Sequence, residues 1–124
     1  MKRRVLLSCL CFFAAPACFA ATSQSRIDAV KSAAARDYPA AFAKARETKD
    51  PTLIKLIDWF SLTDANQTID FNAAQRFMKK NPNWPRVYMI RRNAEQALLE
   101  KGDEAALEKW FCRHPPVSAR AVLA

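Results

Sequence analysis

The sequence predicts an all-α protein built from antiparallel helix pairs. Three observations carry that expectation. The chain has one glycine, Gly102, in 124 residues, whereas sheets joined by tight hairpins need several residues at positive φ. Alanine, the strongest helix former, recurs throughout. Aspartates stand again and again just ahead of apolar stripes of helical period, which is how helix starts read.

The first residues are set apart from this pattern. Lys2, Arg3 and Arg4 form a positive head, and Val5 to Phe13 is an apolar run broken only by Ser8. Cys18-Phe19-Ala20 then supplies small residues at the two positions a signal peptidase reads. That is the layout of a cleavable secretory leader over residues 1–20. The apolar run is shorter than the roughly 20 residues a membrane span needs. Two other readings exist. One is a buried N-terminal helix, against which the three cations beside an acid-free apolar run argue. The other is an outer-membrane lipoprotein attached through Cys18, which lacks the expected leucine three positions earlier. The expected location is the periplasm.

Loss of the leader removes three of the 20 basic side chains and none of the 12 acidic ones, leaving a net +5. It also removes Cys9, Cys11 and Cys18. Cys112 alone remains, so no internal disulfide can form. Beside Trp110 and Phe111 it reads as a small buried hydrophobe. Residues 21–124 suffice for one modest domain.

The elements follow in order. Ser25, with Asp28 three residues on, reads as the start of a helix reaching Arg36. Asp37 caps a second helix that runs to about Lys49. Asp50 and Pro51 give the strongest start, an N-cap followed by the favoured first helical residue. Leu53, Leu56, Ile57 and Phe60 then form one apolar stripe, widened by Trp59. Asp64 to Thr68 is a polar loop. Asp70 caps a helix over Phe71 to Lys80, with Phe71, Ala74 and Phe77 or Met78 inward. Asn81-Pro82-Asn83-Trp84-Pro85 ends it, because residues before proline avoid the α region. A longer helix is expected from about Trp84 to Lys101. Its inner stripe is Val87, Ile90, Ala94, Ala97 and Leu98, and Arg86, Arg91, Arg92 and Glu95 line its sides. Gly102 terminates it. Asp103 caps the next helix, which carries Leu107, Trp110 and Phe111 and stops at His114-Pro115-Pro116. Ser118 caps one more. Leu56-Ile57-Asp58-Trp59-Phe60 is echoed by Leu107-Glu108-Lys109-Trp110-Phe111, a weak sign of helical repeats.

Little in this sequence points to chemistry. One histidine and one cysteine beyond the leader give no metal-ligand set, and a single glycine cannot build a phosphate loop. No cofactor is expected. His114 is two residues from Cys112, the wrong helical spacing for a nucleophile and base. Glu95, Glu100, Glu104 and Glu108 could supply glycosidase carboxylates, but among lysines and arginines they read as polar helix faces. No catalytic residue is assigned. Lys79, Lys80, Arg86, Arg91 and Arg92 cluster in sequence. Export argues against nucleic acid and favours an anionic polymer outside the cytoplasm, with a solvated helix face as the plain alternative.

From Phe77 to Pro85 the chain resembles a turn of the soluble lytic murein transglycosylases. The likeness continues in Arg91-Arg92-Asn93-Ala94-Glu95-Gln96-Ala97-Leu98. Leu56 to Phe60, Trp110-Phe111 and Pro115-Pro116 match in the same order, so that it covers roughly residues 26–124. The family usually has a glycine shortly after the Pro-Pro turn, where this chain has Ala119-Arg120-Ala121. The resemblance implies a right-handed, U-shaped superhelix of α-hairpins. In the family this leans on a C-terminal lysozyme-like domain. That domain cleaves the peptidoglycan bond between N-acetylmuramic acid and N-acetylglucosamine, leaving an anhydro sugar. No segment here matches the family's catalytic glutamate. The chain is therefore expected to be a non-catalytic, incomplete helical segment. Peptidoglycan would be its partner through the full-length enzyme, with Arg86, Arg91 and Arg92 as glycan or anion contacts. The alternative is a self-contained periplasmic helical-repeat adaptor that binds another protein. Such an adaptor should end in a polar capping helix, unlike Arg120-Ala121-Val122-Leu123-Ala124.

Overall fold

The computed structural model describes residues 16–123, with side chains from Ser23 onward. The described residues form seven helices and no strand: α1 Pro16–Ala34, α2 Tyr38–Glu47, α3 Pro51–Thr63, α4 Phe71–Lys80, α5 Val87–Lys101, α6 Glu104–Phe111 and α7 Ala119–Val122. Residues 1–15 of the expected leader lie outside the described residues.

Five of the expected caps form. Asp37, Asp50, Asp70, Asp103 and Ser118 each accept a hydrogen bond from a backbone N–H of the first turn they precede. This satisfies donors that have no partner within the helix. Gly102 closes α5 at φ 68°, where a side chain would be strained.

Two expected starts are displaced. Ser25 begins nothing, because α1 runs back through it to Pro16. Proline is tolerated in a first helical turn, and the alanines after it propagate a helix readily. The helix expected from Trp84 starts instead at Val87, after Arg86 has taken a left-handed conformation at φ 58°. Pro85 disfavours the α region at Trp84, and no side chain caps this start.

Among the described residues two hydrophobic cores form. The first joins Ala29 and Ala33 of α1, Tyr38, Ala41 and Ala45 around α2, and Leu53 and Ile57 of α3. Alanines at these contacts let the α1 and α2 backbones approach closely, and Lys44 Nζ donates to Ser32 Oγ at 3.0 Å beside them. Arg26 ties α1 to the cap of α3 through Asp50 at 3.3 Å. The second core joins Leu62, Ile69, Ala74, Phe77, Ile90 and Ala94, with Trp59, Phe71, Met78 and Trp84 packed against it. α3 therefore serves both, Leu53 and Ile57 in one and Trp59 and Leu62 in the other. α5 packs against α3, α4, α6 and α7.

Polar bonds fasten the joints. Asn93, buried on α5, donates its amide to the carbonyls of Leu62 at 3.0 Å and Asp64 at 3.2 Å. These belong to the end of α3, whose last carbonyls have no helical partner. Trp59 Nε1 donates to Pro85 O at 2.7 Å, fixing the turn before α5. Trp84 meets Phe77 edge-on at 6.1 Å between ring centroids, with Lys55 over its face.

Cys112 is exposed, not buried as expected. It lies two residues past buried Trp110, a rotation of about 200° on a helix that turns roughly 100° per residue.

Candidate functional site

α5 positions most of the residues singled out for function. Its two middle arginines, adjacent in sequence, face different surroundings. Arg91 points toward the turn after α6, donates to the carbonyl of Pro115, and lies 3.4 Å from Glu95. Arg92 is exposed and lines a cleft of about 430 Å³ between α5, the loop after α3 and the start of α7. Arg86 is exposed at the start of α5 and lines neither this cleft nor the one beside Arg91. The structure thus does not gather the three arginines into one site.

Glu95 corrects the reading of α5's sides as polar. It is fully buried. Its Oε2 accepts from the backbone N–H groups of Val117 at 3.0 Å and Ser118 at 3.1 Å. Its Oε1 makes the ion-pair contact with Arg91 Nε, without the alignment of a hydrogen bond. A buried carboxylate needs such partners, since isolated burial of charge is very costly. Ser118 also caps α7, so one carboxylate orders the Pro115-Pro116 turn and the helix beyond it. Glu95 is engaged in holding backbone.

A second cleft, of about 600 Å³, lies between α4, α5 and the end of α6. Arg76 and Lys79 of α4, Arg91 of α5, and Trp110, Arg113 and His114 line it. Trp110 and His114 are stacked with centroids 3.9 Å apart, and His114 Nδ1 lies 3.1 Å from the Trp110 carbonyl oxygen. Sequence reasoning placed Lys79 and Arg91 in one basic cluster. It missed Arg76 and Arg113, whose only sequence signal was their charge.

In the first cleft, Arg120 is partly offset by Glu100 at 3.9 Å, and Gln96 donates to the same Glu100 oxygen at 2.8 Å. Arg92 makes no ion pair among the described residues.

Two carboxylates outside α5, Asp58 and Asp64, have altered proton affinity. Desolvation raises the Asp58 carboxyl, partly offset by Arg46 and Arg76. Asp58 lines a cleft with Arg76 and Lys80 that holds no second carboxylate. Burial would also raise Asp64, but the Asn66 backbone N–H, the Tyr38 hydroxyl and Arg36 hold it below its ordinary value. Burial, and then the hydrogen bond to Asp64, push the Tyr38 hydroxyl up to about 12. This pair braces the α1–α2 turn against the end of α3.

The echo between the two Trp-Phe pairs ends at the side chains. Trp59 is half-buried with its N–H bonded to Pro85, while Trp110 is buried and its indole N–H has no acceptor. Ile57 is fully buried, and Glu108, its counterpart, is exposed.

Among the described residues no three His, Cys, Asp or Glu side chains gather as a metal-ligand set, and no helix is long and apolar enough to cross a membrane. No protein-family model, curated protein or solved structure matches this chain.

Proposed function

We propose that this chain is the N-terminal, non-catalytic helical part of a periplasmic lytic transglycosylase. It is exported by a leader ending at Ala20 and arranged as a right-handed superhelix of antiparallel helix pairs. Its task is architectural, presenting glycan strands to a lysozyme-like domain that carries out the cleavage. The basic side chains of α5 and its neighbours attract peptidoglycan carboxylates.

One observation carries the reading: the residues behind the resemblance sit at the helix joints. Trp59 of the first segment bonds Pro85 of the Asn-Pro-Asn-Trp-Pro turn, and Trp84 of that turn packs on Phe77. Arg91 and Glu95 of the Arg-Arg-Asn-Ala-Glu segment bind the backbone of the Pro115-Pro116 turn. Separated motifs that lock one helix to the next are what a helical scaffold needs. The one acid of these motifs that lines a cleft, Asp58, has no second carboxylate beside it there.

The test is expression of the chain with its leader in a Gram-negative host. Fractionation, sequencing of the mature N-terminus and a pull-down on purified peptidoglycan follow. Expected are release into the periplasm, a first residue at Ala21, and retention on peptidoglycan that weakens as salt is raised. A lipid-modified Cys18 in the membrane fraction would replace the leader assignment with a lipoprotein one. Absence of retention even at low salt would remove the glycan-contact role. Release of anhydro-sugar fragments by the chain alone would overturn the non-catalytic assignment.

A further inference from the structure

The cleft between α4, α5 and the end of α6 combines two features that its role as a helix joint does not use. The first is uncompensated charge. No carboxylate lines it, and the side chains of Lys79 and Arg113 make no hydrogen bond or ion pair among the described residues. Arg76 approaches Asp70 only at 3.8 Å, with both side chains mostly exposed, an arrangement that neutralises little. Arg91 alone has a close anionic partner, in Glu95.

The second feature is an orphaned donor. Trp110 lines the same cleft, is 6% exposed, and its indole N–H has no acceptor. Buried donors in native proteins are nearly always paired, so an exception calls for a partner from elsewhere. The indole is not a stacking platform for a sugar. His114 covers one part of it at 3.9 Å, and Phe71 meets it edge-on at 5.2 Å. What the cleft offers is therefore donors and positive charge, with no acceptor of negative character on its wall. Its volume of about 600 Å³ falls in the range of roughly 300–1,000 Å³ found for small-molecule sites.

We infer that this cleft binds a small ligand bearing two or more carboxylate or phosphate groups. Lys79 and Arg113 meet the charges, and one anionic oxygen accepts from the Trp110 indole N–H. Charge-assisted bonds of this kind are about twice as strong as neutral ones. The inference stands on the cleft itself and does not require the cell-wall reading.

The test is a titration of the nitrogen-15-labelled chain at low ionic strength with three probes. These are citrate, inorganic pyrophosphate and a soluble muropeptide with free carboxylates. At least one is expected to bind saturably and to shift the Trp110 indole N–H resonance more than those of Trp59 and Trp84. Joint reversal of Lys79→Glu and Arg113→Glu is expected to weaken it by about tenfold or more. Lys31→Glu on α1 makes a charge change of the same sign away from the cleft, and should leave affinity within about twofold. If the double reversal loses helical circular dichroism, Lys79→Gln with Arg113→Gln replaces it, with a loss of several-fold expected. A preference for citrate or pyrophosphate identifies a free anion and counts against peptidoglycan as the occupant. A preference for the muropeptide identifies a cell-wall peptide. Both support the site. It is overturned if no probe binds saturably, if the cleft variants bind as the parent does, or if Lys31→Glu weakens binding as much as they do.

Discussion

Glu95 is the residue whose loss should reach furthest. Truncation to alanine leaves the N–H groups of Val117 and Ser118 without their acceptor and Arg91 without its anion. Removing one partner from a buried charged network typically costs about 3–5 kcal/mol, so denaturant unfolding of Glu95→Ala should show a loss near that size. Glu95→Gln keeps an acceptor for the same N–H groups and should lose less. If both variants unfold like the parent, the carboxylate does not hold the turn. Asp64 gives a pH-dependent counterpart. Its folded carboxyl titrates below its ordinary value, so its contribution is complete above the unfolded value of about 3.9. It is lost as pH falls through the lower folded value. Tyr38 runs the other way. With its hydroxyl raised from 10.0 to about 12, its contribution is complete below the unfolded value and disappears as pH rises through the folded one. Asp64→Asn should flatten the acid limb of a stability-against-pH curve; an unchanged limb would assign the acid sensitivity to other carboxylates.

At the scale of elements, caps and joints carry different weights. Asp70 accepts from Asn72 N at 3.1 Å and Ala73 N at 3.2 Å. Asp70→Ala should destabilise the protein by about 1 kcal/mol, the usual worth of an N-cap. Its exposed contact with Arg76 adds little. Asn93 should matter more for the order of its joint. Asn93→Leu strips a donor from the carbonyls of Leu62 and Asp64, and leaving buried polar groups unpaired costs roughly 1–3 kcal/mol. Amide exchange at the end of α3 and in residues 64–69 should accelerate beyond the global change. Uniform acceleration along the chain would mean that Asn93 packs without holding the joint.

For the whole molecule, the shared use of α3 couples the two cores. Ile57 belongs to the first core and is fully buried, while Trp59 and Trp84 pack against the second. Ile57→Ala should cost about 2–5 kcal/mol. Because both cores lean on one helix, tryptophan fluorescence and helical circular dichroism should lose stability together, with coincident transitions. A fluorescence transition left in place while the dichroism transition moves would show two independent cores.

The sequence by itself determined the helices and most of their limits. Caps and glycine terminators act within one turn, so Asp37, Asp50, Asp70, Asp103, Ser118 and Gly102 could be read from their neighbours alone. The apolar stripe of α3 was legible for the same reason, since one period reveals one buried face. Local rules misplaced the starts of α1 and α5. Ser25 could satisfy a cap that a longer helix makes unnecessary, and Arg86 took a left-handed turn that no side chain signals. Tertiary structure decided what lies on the remaining faces. α5 is covered by several elements, so Glu95 is buried by N–H groups more than 20 residues away in sequence although its helical neighbours suggest a polar side. Rotation past Trp110 exposes Cys112, and Arg91 and Arg92 part to different clefts. Arg76, Lys79 and Arg113 meet around Trp110 because α4 and α6 pack beside the same central helix. Sequence spacing carries no information about which surfaces come to face one another.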